Sequence, residues 1–257
     1  MIKAIFFDVD GTLLSHKTKQ VPKSAREGLS RLRQQGIKIY LSTGRHMMEL
    51  NRMPVSEIKF DGYVTLNGQL CLNSDQKVLY DAPFDIEVTE KLAEMFRKKE
   101  MPLVFVEKKR IYINFVNDLV RKAQKEISTK VPSVQEYGNE PVYQATTYLR
   151  QEEEKKFEYI LPKGCSFARW SRNGVDIISE TGGKVAGIRH IQKFLGISRE
   201  EIMAFGDAGN DIEMLKYAGI GVAMGNAGEN VKKAADFVTD DIDKDGVWKA
   251  LRHFLIF

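Results

Sequence analysis

The chain has 257 residues, of which 43% are hydrophobic and 29% charged, with a formal charge of +4. That composition excludes a disordered, fibrous or collagen-like chain, and the length allows either one large domain or a core carrying a sizeable insertion. Basic runs such as Arg97-Lys98-Lys99 and Lys108-Lys109-Arg110 sit among acidic neighbours, so they read as solvated surface and no nucleic-acid partner is expected. Cys71 and Cys165 belong to no Cys-x-x-Cys or Cys/His cluster, which suits free thiols in a reducing cytoplasm. No apolar run approaches the ~20 residues of a membrane span, so no membrane association is expected and a cytoplasmic location follows. Oligomeric state is not legible in these features.

Ile5, Phe6, Phe7 and Val9 form an apolar run without polar alternation, the pattern of a buried parallel strand. It ends in Asp8-Val9-Asp10-Gly11-Thr12, two carboxylates followed by a sharp turn. Taken alone this run reads equally well as a polar turn. Pro22 to Gln35 places Ala25, Leu29 and Leu32 at helical spacing before Gly36, and Ile37 to Leu41 is the next strand. Ser42-Thr43-Gly44-Arg45 follows it, then a short helix from His46 to Arg52. Gly62 to Leu66, Gln69 to Leu72 and Val78 to Tyr80 alternate around Asn67-Gly68, a strong hairpin signal.

At Pro83 the rhythm changes. Asp85 is placed to cap a helix from Ile86 to Lys99, followed by a hairpin of Pro102 to Val106 with Ile111 to Phe115, and a helix from Asp118 to Ser128. Val142 to Leu149, Ser166 to Trp170 and Val175 to Ile178 supply three more strands, with an exposed helix starting near Glu152 to Lys156. Strand pairs beside helices define an α+β module. From Lys184 the earlier alternation resumes, with Ile188, Ile191 and Leu195 on one helical stripe. The strand Ile202 to Gly206 ends in Asp207-Ala208-Gly209-Asn210-Asp211, and a helix from Ile212 to Ala218, strands at Ile220 to Met224 and Phe237 to Thr239, and a last helix from Val247 to Phe254 close the chain.

Three strands therefore end in acidic or hydroxylic loops, and Lys184 opens a helix. Their chemistry is complementary. One carboxylate can attack phosphorus, a second can move a proton, a hydroxyl and an ammonium can hold phosphate oxygens, and further carboxylates can bind Mg²⁺. These four segments, in this order, resemble the motifs of the haloacid dehalogenase superfamily: Asp8 to Thr12, Thr43 within Ser42 to Arg45, Lys184, and Gly206 to Asp211. The α+β insertion between the second and third narrows the resemblance to the Cof-type phosphatases with a C2B cap.

The resemblance implies an α/β fold, with a Rossmann-like doubly wound parallel sheet core over residues 1–82 and 180–257 and an inserted α+β cap over 83–179. It also implies a Mg²⁺-dependent phosphatase of small phosphorylated metabolites, whose cap closes over the site and then reopens. Asp8 would be the nucleophile and a metal ligand, and Asp10 the general acid and base, with its backbone carbonyl on the metal. Thr43, Gly44, Lys184 and Asn210 would bind the phosphoryl group, and Asp207 and Asp211 would complete the Mg²⁺ site. An acid at position 10 favours a phosphatase over the dehalogenases and ion pumps of the same superfamily. Gly182-Gly183 before Lys184 and Val185 after it depart from the usual surroundings of that lysine. A phosphomutase, a phosphatase of one dedicated sugar phosphate, and a non-catalytic sensor of a phosphorylated ligand are the alternatives.

Of the remaining residues, Arg45 lies at the mouth of the second loop, where a phosphate or sugar contact is expected. His16 and His46 follow the first two loops within reach of a substrate, while Met47, Met48 and Met53 read as packing. Gly219, Gly221 and Gly225 have the wrong spacing for a dinucleotide loop and read as packing and turn glycines.

Overall fold

The computed structural model describes residues 1–126, 129–254 and 256. Two compact units divide it, one formed by Met1–Asp81 with Gly183–Phe257 and the other by Ala82–Gly182. The first unit begins with β1 (Ala4–Phe7), α1 (Lys23–Gln34), β2 (Lys38–Ser42), α2 (Met47–Leu50), β3 (Gly62–Thr65), β4 (Leu70–Asn73) and β5 (Val78–Asp81). The second contains α3 (Ile86–Lys98), β6 (Leu103–Glu107), β7 (Ile111–Ile113), α4 (Asp118–Glu126), β8 (Ser133–Val134), β9 (Val142–Thr147), α5 (Glu154–Ile160), β10 (Cys165–Arg169) and β11 (Val175–Ser179). The chain then returns to the first unit through α6 (Lys184–Leu195), β12 (Ile202–Gly206), α7 (Ile212–Tyr217), β13 (Ile220–Ala223), α8 (Glu229–Lys232), β14 (Phe237–Val238) and α9 (Gly246–His253).

The first unit is an eight-stranded sheet in the order β14-β13-β12-β1-β2-β3-β4-β5, parallel except where β4 pairs antiparallel with both β3 and β5. The all-apolar β1 is central because it is buried on both faces. Phe6 stacks on Tyr40 with ring centroids 5.0 Å apart, and Phe7 stacks on Phe205 at 4.9 Å. Each such side chain contributes about 1.5–3 kcal/mol on full burial. Ile188 and Ile191 of α6 and Met214 and Leu215 of α7 join the cluster around Phe6 and Ala204, and α1 packs against α9 and β2. The chain leaves β1 toward β2 on one side and returns through β12 on the other, so the sheet reverses its order beside β1. In open α/β sheets, ligands bind outside the carboxyl ends of the strands at such a reversal.

The inserted unit holds a six-stranded sheet in the order β10-β11-β9-β6-β7-β8, antiparallel except for the short β7–β8 pair. Its core gathers Leu92 and Phe96 of α3 with Phe105, Tyr112, Ala145 and Ile177. Among the described residues, no helix is long and apolar enough to cross a membrane.

Several local readings of the sequence are corrected. Asp85 occupies the N-cap position of α3, but its side chain makes no capping hydrogen bond. The strand Ser133–Val134 and the short helix Glu229–Lys232 carry too few apolar residues to be read in advance. The last two positions of the helix expected up to Ser128 lie outside the described residues.

Candidate active site

Asp8 follows β1 directly, and its backbone N–H extends the ladder to the Phe205 carbonyl at 3.0 Å. The parallel pairing of β1 and β12 brings the ends of these strands level, with Phe7 beside Phe205, so the loop that starts at Asp207 opens next to Asp8. Lys184 arrives as the first residue of α6. That helix lies close to the sheet because Gly187 leaves no room for a side chain: a Cβ there would come within 2.5 Å of Val64 and 2.9 Å of the Cys71 sulfur.

These three elements assemble a buried charge cluster. Lys184 is 2% exposed, and its ammonium donates to Oδ1 of Asp8 and to Oδ1 of Asp211, each at 2.6 Å. Oδ2 of Asp211 accepts the backbone N–H groups of Asp207 at 3.0 Å and Ala208 at 2.9 Å. Thr12 donates its hydroxyl to Oδ1 of Asp207 at 2.9 Å. Carboxylate oxygens of Asp8, Asp207 and Asp211 lie within 4.8 Å of one another. Gly11 keeps this packing possible. Its φ of +88° suits only glycine, and a Cβ would lie 2.2 Å from Oδ2 of Asp207.

Three carboxylates facing one ammonium leave an excess of negative charge. Burial pushes the Asp8 carboxyl well above the usual range; Lys184 opposes this, and Asp211, Asp207 and Asp10 add to it. Burial and then the Asp211 charge push Asp207 up to about 7. For Lys184, burial works against the charge, but Asp211 and Asp8 outweigh it and hold the ammonium above its ordinary value. An all-oxygen donor set with surplus negative charge has the chemistry that a hard divalent cation requires. The residues present therefore fit such an ion.

A second group surrounds Asp10. Arg45 grips its carboxylate with two donors, Nε to Oδ2 at 2.5 Å and Nη2 to Oδ1 at 3.0 Å. Nη1 of Arg45 reaches Oε1 of Glu49 at 3.3 Å, while Oε2 of Glu49 accepts the backbone N–H of His46 at 3.0 Å. A third group joins the second and fourth motifs. Thr43 is buried and its hydroxyl accepts the Arg45 N–H at 3.2 Å, while Asn210 donates to Oδ1 of Asn67 at 3.1 Å. Gly44 lies against that same Asn67, whose Nδ2 would be 3.0 Å from a Cβ at position 44.

The structure thus places Asp8, Lys184, Asp207 and Asp211 in one cluster, Asp10 in the grip of Arg45, and Thr43, Gly44 and Asn210 around Asn67. Arg45, read from sequence as a substrate contact, is engaged by Asp10 and Glu49. His46 is buried as the N-cap of α2, its Nδ1 accepting the Met48 N–H at 2.9 Å, and His16 is exposed. Met48 is exposed too, whereas Met47 packs as expected. Sequence reasoning missed Asn226. Its amide donates to the Gly11 carbonyl at 2.9 Å and to Oδ2 of Asp207 at 3.4 Å, and its carbonyl oxygen accepts the Ile242 N–H at 3.0 Å. Its signal is its position, in the loop that follows another parallel strand, β13.

A family model described as haloacid dehalogenase-like hydrolase matches residues 5–251. The chain is similar to the solved phosphatase BT1666 of Bacteroides thetaiotaomicron, at 34% identity and a TM-score of 0.92 over all of this chain and 96% of that one. It is also similar to the solved structure of the HAD subclass IIB sugar phosphatase BT4131, at 38% identity and a TM-score of 0.88, covering 99% of this chain and all of that one. Pyridoxal phosphate phosphatase YbhA of Escherichia coli (strain K12) is 29% identical over 99% of both chains.

Proposed function

The chain belongs to the haloacid dehalogenase superfamily, in its Cof-type phosphatase branch, and on that premise we propose that this phosphoric monoester hydrolase works through a covalent aspartyl phosphate on Asp8, with Mg²⁺ as cofactor and a small phosphorylated metabolite as substrate. The observation that carries this reading is the buried Asp8, set at the end of the central strand, paired with Lys184 and surrounded by two more carboxylates. Such a carboxylate is a weak nucleophile, and it gains its power from position and from neutralisation of the charges around it.

Asp8 forms the new bond to phosphorus as the bond to the substrate's alcohol oxygen breaks, and Asp10 gives that oxygen a proton. Asp10 then takes a proton from water, which attacks the same phosphorus and releases phosphate from Asp8. Lys184, Thr43 and the amides of Gly44 and Asn210 hold the phosphoryl oxygens. Mg²⁺, held by Asp8, the backbone carbonyl of Asp10 and Asp207, would supply the positive charge that lets a phosphate dianion approach a carboxylate. Both oxygens of Asp211 already have partners, Lys184 and two backbone amides, which supports a role in ordering this site, directly on the ion or through water.

The names of similar proteins indicate the substrate class. One is a sugar phosphatase and another a pyridoxal phosphate phosphatase, so sugar phosphates and nucleotide or cofactor phosphates are the compounds to assay. Phosphate release from such a panel should require Mg²⁺ and vanish in Asp8→Asn. Turnover that persists undiminished in Asp8→Asn, or in EDTA, would overturn this reading.

A further inference from the structure

Asp10 is the one acidic residue of the site held by a planar two-pronged donor. A carboxylate keeps about four lone-pair positions, and the two bonds from Arg45 use one on each oxygen. They fix the plane of the carboxyl group and leave it able to exchange a proton at the remaining positions. Arg45 is itself restrained. It is one-fifth exposed or less, and Glu49, four residues on along the same segment, holds its third nitrogen. Glu49 in turn is anchored, because its other oxygen accepts the His46 N–H at the start of α2. A chain of contacts therefore runs from a helix terminus through Glu49 and Arg45 to Asp10.

We infer that Arg45, steadied by Glu49, is the positioning residue that aims the Asp10 carboxyl for proton transfer, rather than a group that contacts substrate. This rests on the reading of Asp10 as the acid and base. Lysine at position 45 would keep the charge but lose the fork, since an ammonium acts as a point charge with no plane to impose. General acid catalysis is worth about 10² to 10⁴ in rate, so a misaimed acid forfeits part of that range. The loss should grow with the basicity of the leaving oxygen, because a poor leaving group depends on receiving a proton and a good one does not.

The test compares kcat/KM for phenyl phosphate and 4-nitrophenyl phosphate, substrates of similar shape whose leaving groups differ in basicity. The ratio of the two values within one variant is independent of how much protein is correctly folded. Arg45→Lys should lower the phenyl phosphate value about tenfold more than the nitrophenyl value, and Glu49→Gln should shift the ratio the same way by a smaller factor. Asp10→Asn should shift it furthest. If Asp10→Asn shifts the ratio while Arg45→Lys slows both substrates equally, Arg45 binds phosphate or substrate and the inference is overturned. If Asp10→Asn itself leaves the ratio unchanged, the role given to Asp10 fails and takes the inference with it.

Discussion

In the inserted unit, the buried carboxylate of Glu107 receives two donors from Arg110, at 2.7 and 2.9 Å, and the Tyr112 hydroxyl at 2.5 Å. At the other end of the same hairpin, the buried Asn114 makes four hydrogen bonds to backbone groups of Leu103, Phe115, Phe96 and Met101. Charge and hydrogen bonding are balanced there, and such a network specifies a fold. In the sheet unit, Asp8, Asp207 and Asp211 lie together beside the single ammonium of Lys184, which pairs with Asp8 and Asp211. The same cost of burying a carboxylate is thus met fully in one unit and only in part in the other. Surplus buried charge of one sign persists where a ligand of the opposite sign completes it, which separates the site from the scaffold without appeal to any motif.

The sharpest way to break this comparison is to remove one carboxylate from each unit. Asp8→Asn should reduce phosphate release about 10⁴-fold or more, as loss of a covalent nucleophile does. Its melting temperature in EDTA should nonetheless match or exceed that of the wild type, because one of three crowded carboxylates is gone and Lys184 keeps Asp211. A melting temperature several degrees lower would show that the cluster is a stabilising network after all.

The cation itself gives the next largest effect. A carboxyl raised to about 7 in the folded chain, as for Asp207, holds a proton that the unfolded chain releases in the ordinary carboxylate range. Its contribution to stability is therefore lost as pH rises from that range through 7, and Asp8 acts in the same direction. A bound cation must displace that proton, so apparent Mg²⁺ affinity should rise by about 10² between pH 5 and pH 7.5. Thermal shift titrations with Mg²⁺ at the two pH values check this. Equal affinity at both would mean that no ligand of the ion titrates in this interval.

How much of this was legible in the sequence depends on the distance over which each feature is determined. The strand carrying Asp8 announces itself through the adjacent Ile5, Phe6 and Phe7, and the loop of Asp207 to Asp211 follows an apolar strand of its own, so both could be placed from nearby residues. Lys184 stood out as the start of a helical stripe. Arg45 stands out as a candidate substrate contact, but no local pattern shows that its side chain turns toward Asp10, 35 residues away. Glu49 carries no such signal either: it lies in α2, whereas Arg45 precedes that helix and its N-cap His46, so helical spacing does not relate the two. Glu107 lies just past the expected strand Pro102 to Val106, and its burial against Tyr112 exists only in the folded sheet, where β6 extends to include it. The edge strand Ser133–Val134 was invisible because both its residues are exposed.

Glu107→Gln tests the balanced side of the comparison. The amide keeps the shape but removes the charge facing Arg110 and one strong acceptor for Tyr112, so the chain should lose about 1–3 kcal/mol of stability. Phosphate release per folded molecule should be unchanged. A denaturant titration paired with an activity assay measures both, and a fall in kcat without a fall in stability would place Glu107 in the chemistry instead of the scaffold.

The smallest effect should come from Asn226, which belongs to neither charged group yet ties the first motif to the fourth. Asn226→Ala removes its bonds to the Gly11 carbonyl and the Ile242 N–H and its longer contact with Asp207. Gly11 and Asp207 come so close that no side chain fits between them, so loosening the Gly11 turn frees Asp207 to move. A net hydrogen bond is worth about 1 kcal/mol, so the Mg²⁺ concentration for half-maximal activity should rise roughly 5- to 10-fold. At saturating Mg²⁺ the variant should recover nearly the full wild-type kcat, since no reacting atom has been removed. A deficit in kcat that saturating Mg²⁺ does not repair would assign Asn226 to the reacting groups themselves.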